Sequence, residues 1–220
     1  ADWGKDFYAS QSFSDLPGAD GRRVWMGWMS NWLYVNDEPT SPWRGVQSVP
    51  RSLALRRLPD GLRLVQSPVA ELEALRASAT PTLMSREAPL PGSADVEVEL
   101  VRGTWSEAGL RLSNDIGEEV VIGVTAGPPQ VFVDRRRSRA TPFHDEYPGR
   151  HAGPLRWRDG RVRLRVLFDR TTLEVFANDG EAVVSERVYP TKALSRIELL
   201  GSGPAIPAPG RLHEMRSVWR

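Results

Sequence analysis

Apolar and polar residues alternate along most of the second half of the chain, as they do in strands with one buried face. The segments DVEVELV and RVRLRVLF alternate strictly. The pattern predicts nine strands, over residues 95–101, 109–113, 119–125, 130–134, 161–168, 172–177, 182–188, 196–200 and 213–218. Many short antiparallel strands at this spacing predict a β-sandwich, which we place over residues 80–220.

The first 65 residues also predict strands, but too few for an independent domain. Strands predicted over 7–13 and 22–29 flank a run of turn residues and form a hairpin, and alternation resumes around residues 49–55 and 62–65. These strands carry many apolar side chains, so they resemble part of a larger sheet assembly. We expect residues 1–65 to self-associate through exposed strand edges or to be partly disordered, because unpaired edges and apolar faces recruit other chains.

Two shorter features lie between and within these regions. Val69, Leu72 and Leu75 follow Pro68 at helical spacing and predict one short helix, and residues 76–92 are small, polar and proline-rich, which is typical of a linker. We therefore assign residues 66–79 to a short helix and linker. Asn178-Asp179-Gly180 predicts a tight hairpin turn, because these residues tolerate positive φ.

Composition excludes several classes of function. The 220 residues contain no cysteine, which excludes disulfides, thiolate nucleophiles and iron–sulfur clusters. The net charge is +1, and no apolar run reaches the length of a membrane helix, so we predict neither a nucleic-acid nor a membrane partner. Eleven arginines lie between Arg135 and Arg170, but their alternation with apolar residues predicts the solvated face of a sheet.

Histidines and carboxylates suggest no metal or cofactor site. His144, His151 and His213 lack the spacing of metal ligands, so we interpret them as surface or hydrogen-bonded residues. Six N-terminal carboxylates are candidates for a glycosidase, but sequence cannot show the required pairing, and turn capping is the simpler role for those in loops. These are Asp2, Asp6, Asp15, Asp20, Asp37 and Glu38.

Tryptophan is concentrated at the start of the chain. Five of the eight tryptophans lie in the first 43 residues: Trp3, Trp25, Trp28, Trp32 and Trp43. Such a cluster among turn residues predicts a surface that binds a ring-shaped ligand, or a small aromatic core. Trp25 and Trp28 should point to opposite faces of one strand, whereas the loop position of Trp32 favours a pocket.

Three stretches together resemble glycoside hydrolase family 32, the levanases, exo-inulinases and invertases. They are ADWGKDFYAS, RRVWMGWMSNWLYVNDEPTSPWRGVQSVPR and, far downstream, DRTTLEVFANDGEAVVSERVYP. The resemblance implies an all-β chain, with the last blades of a five-bladed β-propeller followed by a complete β-sandwich. It also favours an extracellular or periplasmic location.

The catalytic motifs of that family do not occur in these residues. The family uses an Asp in WMNDPNG, an Asp in RDP and a Glu in EC, and none of these strings is present. The resemblance therefore implies the C-terminal part of a retaining β-fructofuranosidase of fructans or sucrose, inactive alone and with no catalytic residue of its own. The alternatives are a non-catalytic carbohydrate-binding or interaction module, or one half of a split enzyme completed by a separate N-terminal propeller chain.

The resemblance also implies substrate-binding residues. The Asp and Lys of the D-x-G-K segment face the sugar in the family, which implies Asp2 and Lys5 here. The second Trp of WMSNW forms a wall of the fructose pocket, which implies Trp32. Trp43 and Arg44 are weaker candidates from the same segment.

Overall fold

The computed structural model describes residues 1–201, 205–206 and 208–218, and within them the chain is built of β-strands with two short 3-10 helices. The N-terminal strands are β1 (Tyr8–Ser12), β2 (Arg23–Met29), β3 (Val46–Gln47), β4 (Arg51–Leu58) and β5 (Gly61–Pro68). The remaining strands are β6 (Thr82–Met84), β7 (Glu87–Pro89), β8 (Ser93–Val101), β9 (Glu107–Ser113), β10 (Glu119–Ala126), β11 (Pro129–Asp134), β12 (Arg150–Pro154), β13 (Arg161–Asp169), β14 (Thr172–Ala177), β15 (Ala182–Arg187), β16 (Arg196–Leu200) and β17 (Gly210–Glu214). The 3-10 helices span Val35–Asp37 and Ala70–Leu75.

The N-terminal strands form one sheet in the order β1-β2-β4-β5, with β3 also paired to β2. Antiparallel neighbours that follow each other along the chain make the up-and-down sheet of a propeller blade. Trp25 contacts Phe7 on one face of this sheet, with 5.8 Å between ring centroids, and Trp28 contacts Tyr8 on the other, at 6.4 Å. The opposite orientation predicted for the two tryptophans is therefore confirmed.

The C-terminal strands form a sandwich of two six-stranded sheets. Their orders are β12-β11-β10-β9-β16-β7 and β15-β14-β13-β8-β17-β6. The alternation of β8 and β13 places apolar pairs opposite each other, such as Val98 with Leu164 and Leu100 with Val162. These residues belong to one buried cluster that fills the space between the sheets.

The turn between β14 and β15 has the predicted conformation. Asn178, Asp179 and Gly180 all have positive φ, of 50°, 59° and 87°. At Gly180 a Cβ atom would lie 1.9 Å from the carbonyl oxygen of Gln66 in β5, so only glycine allows this approach. The hairpin tip thus contacts the N-terminal sheet as well as reversing the chain.

Several predicted elements differ in the structure. The predicted helix is a 3-10 helix of six residues, Ala70–Leu75, and the predicted linker contains β6 and β7, which are short strands stabilised by pairing with β17 and β16. Strand β12 was not predicted, because RHAGP does not alternate and forms a strand only through its pairing with β11. The last strand lies at Gly210–Glu214 rather than at 213–218. Residues 202–204, 207 and 219–220 of the predicted sandwich segment lie outside the described residues.

Residues 2–6 join the two parts by running along β15. Trp3 N donates to Val183 O at 2.9 Å, and Asp6 N donates to Ser185 O at 3.2 Å. We call the contact the seam: residues 2–6, Arg51 and Gln66 on the blade side, and residues 183–187, Glu174 and Arg135 on the sandwich side. The partly buried Phe7 and Trp25 lie on the seam-facing side of the sheet rather than on a free face, because Arg51 stacks 4.1 Å from the Phe7 ring.

Candidate functional site

The loop that follows β2 carries three of the predicted binding residues. We call residues 30–45 the tryptophan loop. Its two ends are joined by Glu38, whose buried carboxylate accepts from Ser30 Oγ at 2.5 Å and from Gly45 N at 2.9 Å. These two hydrogen bonds hold the ends of the loop together, so the chain returns to β3 and the middle of the loop lies on the surface.

An aromatic surface lies where the tryptophan loop meets the sheet. The Trp32 ring is 71% exposed and lies 5.2 Å from the Trp28 ring, which in turn lies 6.4 Å from the Tyr8 ring. Trp28 is positioned by close packing, since a Cβ at Gly45 would lie 2.0 Å from its Nε1. Exposed aromatic faces suit the apolar C–H patches of a sugar ring.

Trp43 and Arg44 lie on the returning side of the same loop. Trp43 is 65% exposed, and its carbonyl oxygen accepts from Thr40 Oγ1 at 2.7 Å. Among the described residues, ring contacts join Trp32 to Trp28 but not to Trp43. The structure therefore places Trp32 and Trp43 on one loop without bringing their rings together.

Lys5 and Asp2 are directed toward the sandwich. Lys5 Nζ donates to both the carbonyl and the carboxylate of Glu146 at 2.8 Å. Asp2 is almost fully buried: Oδ2 accepts from Arg51 Nη1 at 2.9 Å and from Ser185 Oγ at 2.8 Å, and Oδ1 accepts from backbone N–H groups. This differs from the sugar-facing position that we expected for Asp2, because its carboxylate accepts four hydrogen bonds from protein groups in the seam.

The first half of the seam is centred on Arg51. Its guanidinium is fully buried and donates to Glu174 Oε2 from Nη2 at 2.6 Å and to Gln66 Oε1 from Nη1 at 2.8 Å. Glu174 also accepts from Val49 N at 2.8 Å. Burial raises the pKa of the Glu174 carboxyl, and the neighbouring Arg51 charge opposes that rise.

The second half of the seam is centred on Arg135, which reaches in the reverse direction from sandwich to blade. Arg135 Nη1 donates to Asp6 Oδ2 at 2.5 Å and lies 2.9 Å from Glu186 Oε2. Its Nη2 donates to the Tyr34 hydroxyl at 2.8 Å. Burial and the charge of Asp6 raise the pKa of Tyr34, so the hydroxyl stays protonated and donates to Asp6.

The prediction that the arginine-rich segment is solvated is wrong for Arg135. Arg136 and Arg137 are exposed, whereas Arg135 is completely buried. The sequence contains a signal for this difference, because Val131, Val133 and Arg135 share one face of the strand register. A charged residue that continues a buried apolar face indicates a buried ion pair.

Arg51 and Glu174 were not identified from the sequence. In β14, Leu173 and Val175 lie on one face, and Glu174 shares the other face with Phe176. Both faces therefore carry apolar residues, and burial of Glu174 could have been inferred. The partner of each charge could not have been inferred, since more than 120 positions separate Arg51 from Glu174 and Asp6 from Arg135.

Each of the three histidines has a polar group within 3.1 Å of its Nδ1 atom. His213 is buried with Nδ1 3.1 Å from Ser78 O, and His151 Nδ1 lies 2.7 Å from Glu186 Oε1. In the part of the chain that the structure describes, no three His, Asp or Glu side chains group as metal ligands would, and no helix is long and apolar enough to cross a membrane.

Two family models match the chain. One, described as glycosyl hydrolases family 32 C terminal, matches residues 66–206, and the family 32 N-terminal domain matches residues 1–68. The chain belongs to glycoside hydrolase family 32. This family 32 chain is 35% identical over 231 residues to a levanase of Bacillus subtilis, a match that covers 99% of the chain and 34% of the levanase. It is 30% identical over 233 residues to an extracellular exo-inulinase of Aspergillus ficuum, which covers 99% of the chain and 43% of that enzyme.

Solved structures show the same fold. The family 32 chain superposes on exo-inulinase from Aspergillus awamori with a TM-score of 0.88 at 25% identity, over 99% of the chain and 44% of the enzyme. A β-fructofuranosidase of Schwanniomyces occidentalis gives a TM-score of 0.81 at 18% identity, over 98% of the chain and 49% of the enzyme. The family 32 chain thus spans a third to a half of these relatives, and its predicted all-β fold, propeller sheet followed by sandwich, is confirmed.

Proposed function

We propose that the chain supplies one wall of the sugar-binding surface of a β-fructosidase, together with the sandwich that supports it. The observation that carries this proposal is the Tyr8–Trp28–Trp32 aromatic surface, with Trp32 exposed at its end. The matched levanase and exo-inulinases support fructans as the substrate class.

Polar groups around the aromatic surface provide candidate contacts for sugar hydroxyls. Arg44 is exposed on the tryptophan loop, and the ammonium of Lys5 exchanges readily because its partner Glu146 is itself solvent-exposed. Trp43 offers a second exposed ring on the same loop. Asp2 contributes indirectly in this proposal, through the seam, since its carboxylate already has four hydrogen-bond donors.

We further propose that the chain alone does not hydrolyse fructans. A retaining glycosidase needs one carboxylate as nucleophile and a second, protonated carboxyl group as acid, about 5 Å apart and facing the substrate. Of the three carboxylates at the tryptophan loop, Asp6 and Glu38 are buried and engaged in hydrogen bonds, and Asp37 alone is exposed, so these three provide no exposed pair. Together with the missing family motifs, this supports a chain that binds but does not cleave.

The test is fructose release. The purified chain is incubated with sucrose, inulin and levan, and we expect no fructose above a buffer control. Release of fructose by the chain alone would overturn the proposal. The assay is then repeated with a second chain, the part of the Bacillus levanase that lies N-terminal to the segment matched here. The split-enzyme alternative requires fructose release in this mixture and none from either chain alone.

A non-catalytic carbohydrate-binding module is the second candidate, and the same exposed rings favour it. Titration of the chain with levan and inulin separates it from a purely structural role, because a binding module shows saturable affinity. Saturable binding together with inactivity in every mixture would favour the module over a part of an enzyme.

A further inference from the structure

We propose that the sandwich positions Trp32 through Tyr34, which Arg135 of the sandwich holds by its hydroxyl. Arg135 and Tyr34 are thus positioning residues for the sugar-binding surface, and this inference rests on the function proposed above. It gives the sandwich a role in binding although it presents no residue of the aromatic surface.

Tyr34 is the buried anchor of the tryptophan loop. Its ring packs edge-on against Phe143 and Tyr147 of the sandwich, at centroid distances of 5.7 and 6.0 Å. Its hydroxyl donates to Asp6 and accepts from Arg135 Nη2 at 2.8 Å. A residue two positions from Trp32 is therefore embedded in the other half of the molecule.

A second tether reaches the same carboxylate from the other side of Trp32. Asn31 Nδ2 donates to Asp6 Oδ1 at 2.9 Å, and the backbone turn is closed by Leu33 N, which donates to Asn31 Oδ1 at 3.0 Å. Both tethers thus converge on Asp6, while the ring contact of Trp32 is with Trp28. The position of the exposed ring depends on where Asp6 is held.

Asp6 is held by the sandwich. Arg187 N donates to its Oδ2 at 2.8 Å, and Arg135 Nη1 donates to the same oxygen at 2.5 Å. Arg135 is itself oriented by carbonyl groups, since Nε donates to Tyr147 O at 2.9 Å and Nη1 to Arg187 O at 2.7 Å. A planar guanidinium bound at several edges has little freedom, so the loop is positioned relative to β15.

The experiment compares Tyr34→Phe with Tyr147→Phe. Tyr34→Phe keeps the ring and removes the hydroxyl that joins the loop to Asp6 and Arg135. Tyr147→Phe is the matched control: its hydroxyl is equally buried in the same aromatic cluster, but it bonds Ser138 Oγ and Tyr189 N, both at 2.9 Å, within the sandwich. Hydrogen–deuterium exchange is measured over residues 30–45 and, as an internal reference, over β13 and β14.

We expect Tyr34→Phe to speed exchange in the tryptophan loop at least about ten-fold and to leave the reference strands unchanged. Tyr147→Phe should leave the loop as in the original chain. Equal acceleration by both variants, or none by Tyr34→Phe, would overturn the inference, because the hydroxyl would then act only through general stability. Asn31→Ala, which removes the second tether without touching the cluster, should reproduce the loop effect.

Binding is measured separately, with levan as the probe. We expect Tyr34→Phe to weaken levan binding about three- to ten-fold, as the loss of one hydrogen bond would. A loop that loosens with unchanged levan affinity would also overturn the inference. If the original chain binds no levan, the proposed function fails, whereas the exchange experiment still decides whether Tyr34 positions the loop.

Discussion

Arg51 and Glu174 form a buried ion pair across the seam, with 2.6 Å between Nη2 and Oε2. A second buried pair has the reverse origin: its arginine, Arg135, belongs to the sandwich, and its carboxylate, Asp6, belongs to the blade side. Each half of the molecule thus inserts one arginine into the other and supplies one carboxylate in return. Removing one member of either pair leaves its partner charge buried without a counterion, so each half depends on a charge that the other half supplies.

Replacement of Arg51 by Met should therefore be strongly destabilising. The change leaves Asp2 and Glu174 buried without their cation, which costs about 3–5 kcal/mol of unfolding free energy. Urea unfolding followed by far-UV circular dichroism measures the loss. Arg136→Met is the control, since Arg136 forms an exposed pair with Asp134, and it should cost less than about 1 kcal/mol. Equal effects of the two substitutions would contradict the interdependence of the halves.

Stability should fall in acid through Glu118. Burial acts to raise the pKa of this carboxyl, but hydrogen bonds from Thr191, Asn114 and the backbone outweigh it and lower the pKa to about 2, from an ordinary value of 4.5. A lowered folded pKa means that the stabilisation is complete above pH 4.5 and is lost as the pH falls from there to about 2. The shift corresponds to at most ~3 kcal/mol.

Glu118→Gln tests this assignment. The variant should be less stable than the original chain at neutral pH, and the two unfolding free energies should converge as the pH approaches 2. A constant difference between pH 6 and 2 would show that Glu118 does not titrate in this window. Chemical unfolding at a series of pH values provides the measurement.

The sequence was sufficient for the long strands of the sandwich and for one of its turns, for local reasons. The alternation in β8 and β13 determines which face is buried, and the positive φ values at Asn178, Asp179 and Gly180 need only neighbouring residues. Strands β6 and β7 could not be predicted, because three residues each form a strand only when distant partners supply the hydrogen bonds.

The candidate site was predictable in its aromatic part alone. An exposed Trp32 follows from its position in a polar loop, and its sheet neighbour Trp28 follows from the period of two in β2. The burial of Asp2 depends on Ser185, more than 120 positions away, so no local pattern contains it. For Arg135 the strand register indicates burial, but its partner Asp6 lies 129 positions away and could not be inferred. Charged residues account for most of the wrong predictions of exposure, because the same side chain is compatible with a solvent-exposed face and with a buried ion pair.

Replacement of Trp32 by Ala should remove much of the fructan affinity at little cost in stability. The exposed ring makes few contacts in the fold, so we expect a change within about 0.5 kcal/mol in unfolding free energy. Loss of ring stacking should weaken levan binding about ten-fold. Isothermal titration measures the affinity, and Leu83→Ala, an equally exposed apolar truncation in β6 of the sandwich, is the control. Unchanged binding in Trp32→Ala would remove Trp32 from the site.

Self-association should depend on the outer half of the β4–β5 hairpin. Leu55 and Leu62 are 72% and 64% exposed, and the register places both on one face, since Leu55 pairs with Leu64 and Leu62 with Arg57. This face lies in a sheet that ends at the edge strands β1 and β5. Exposed leucines beside a strand edge favour contacts between copies.

The double variant Leu55→Lys/Leu62→Lys should therefore be more monomeric than the original chain. Light scattering over a roughly hundredfold range of concentration should show a rising mass for the original chain and a constant monomer mass for the variant, because like charges on adjacent copies repel. Leu83→Lys introduces a charge at an equally exposed position of the sandwich and should leave association intact. If Leu83→Lys disperses the chain equally well, added charge rather than the hairpin face is responsible. A constant monomer mass for the original chain would show that the exposed hairpin face does not cause self-association.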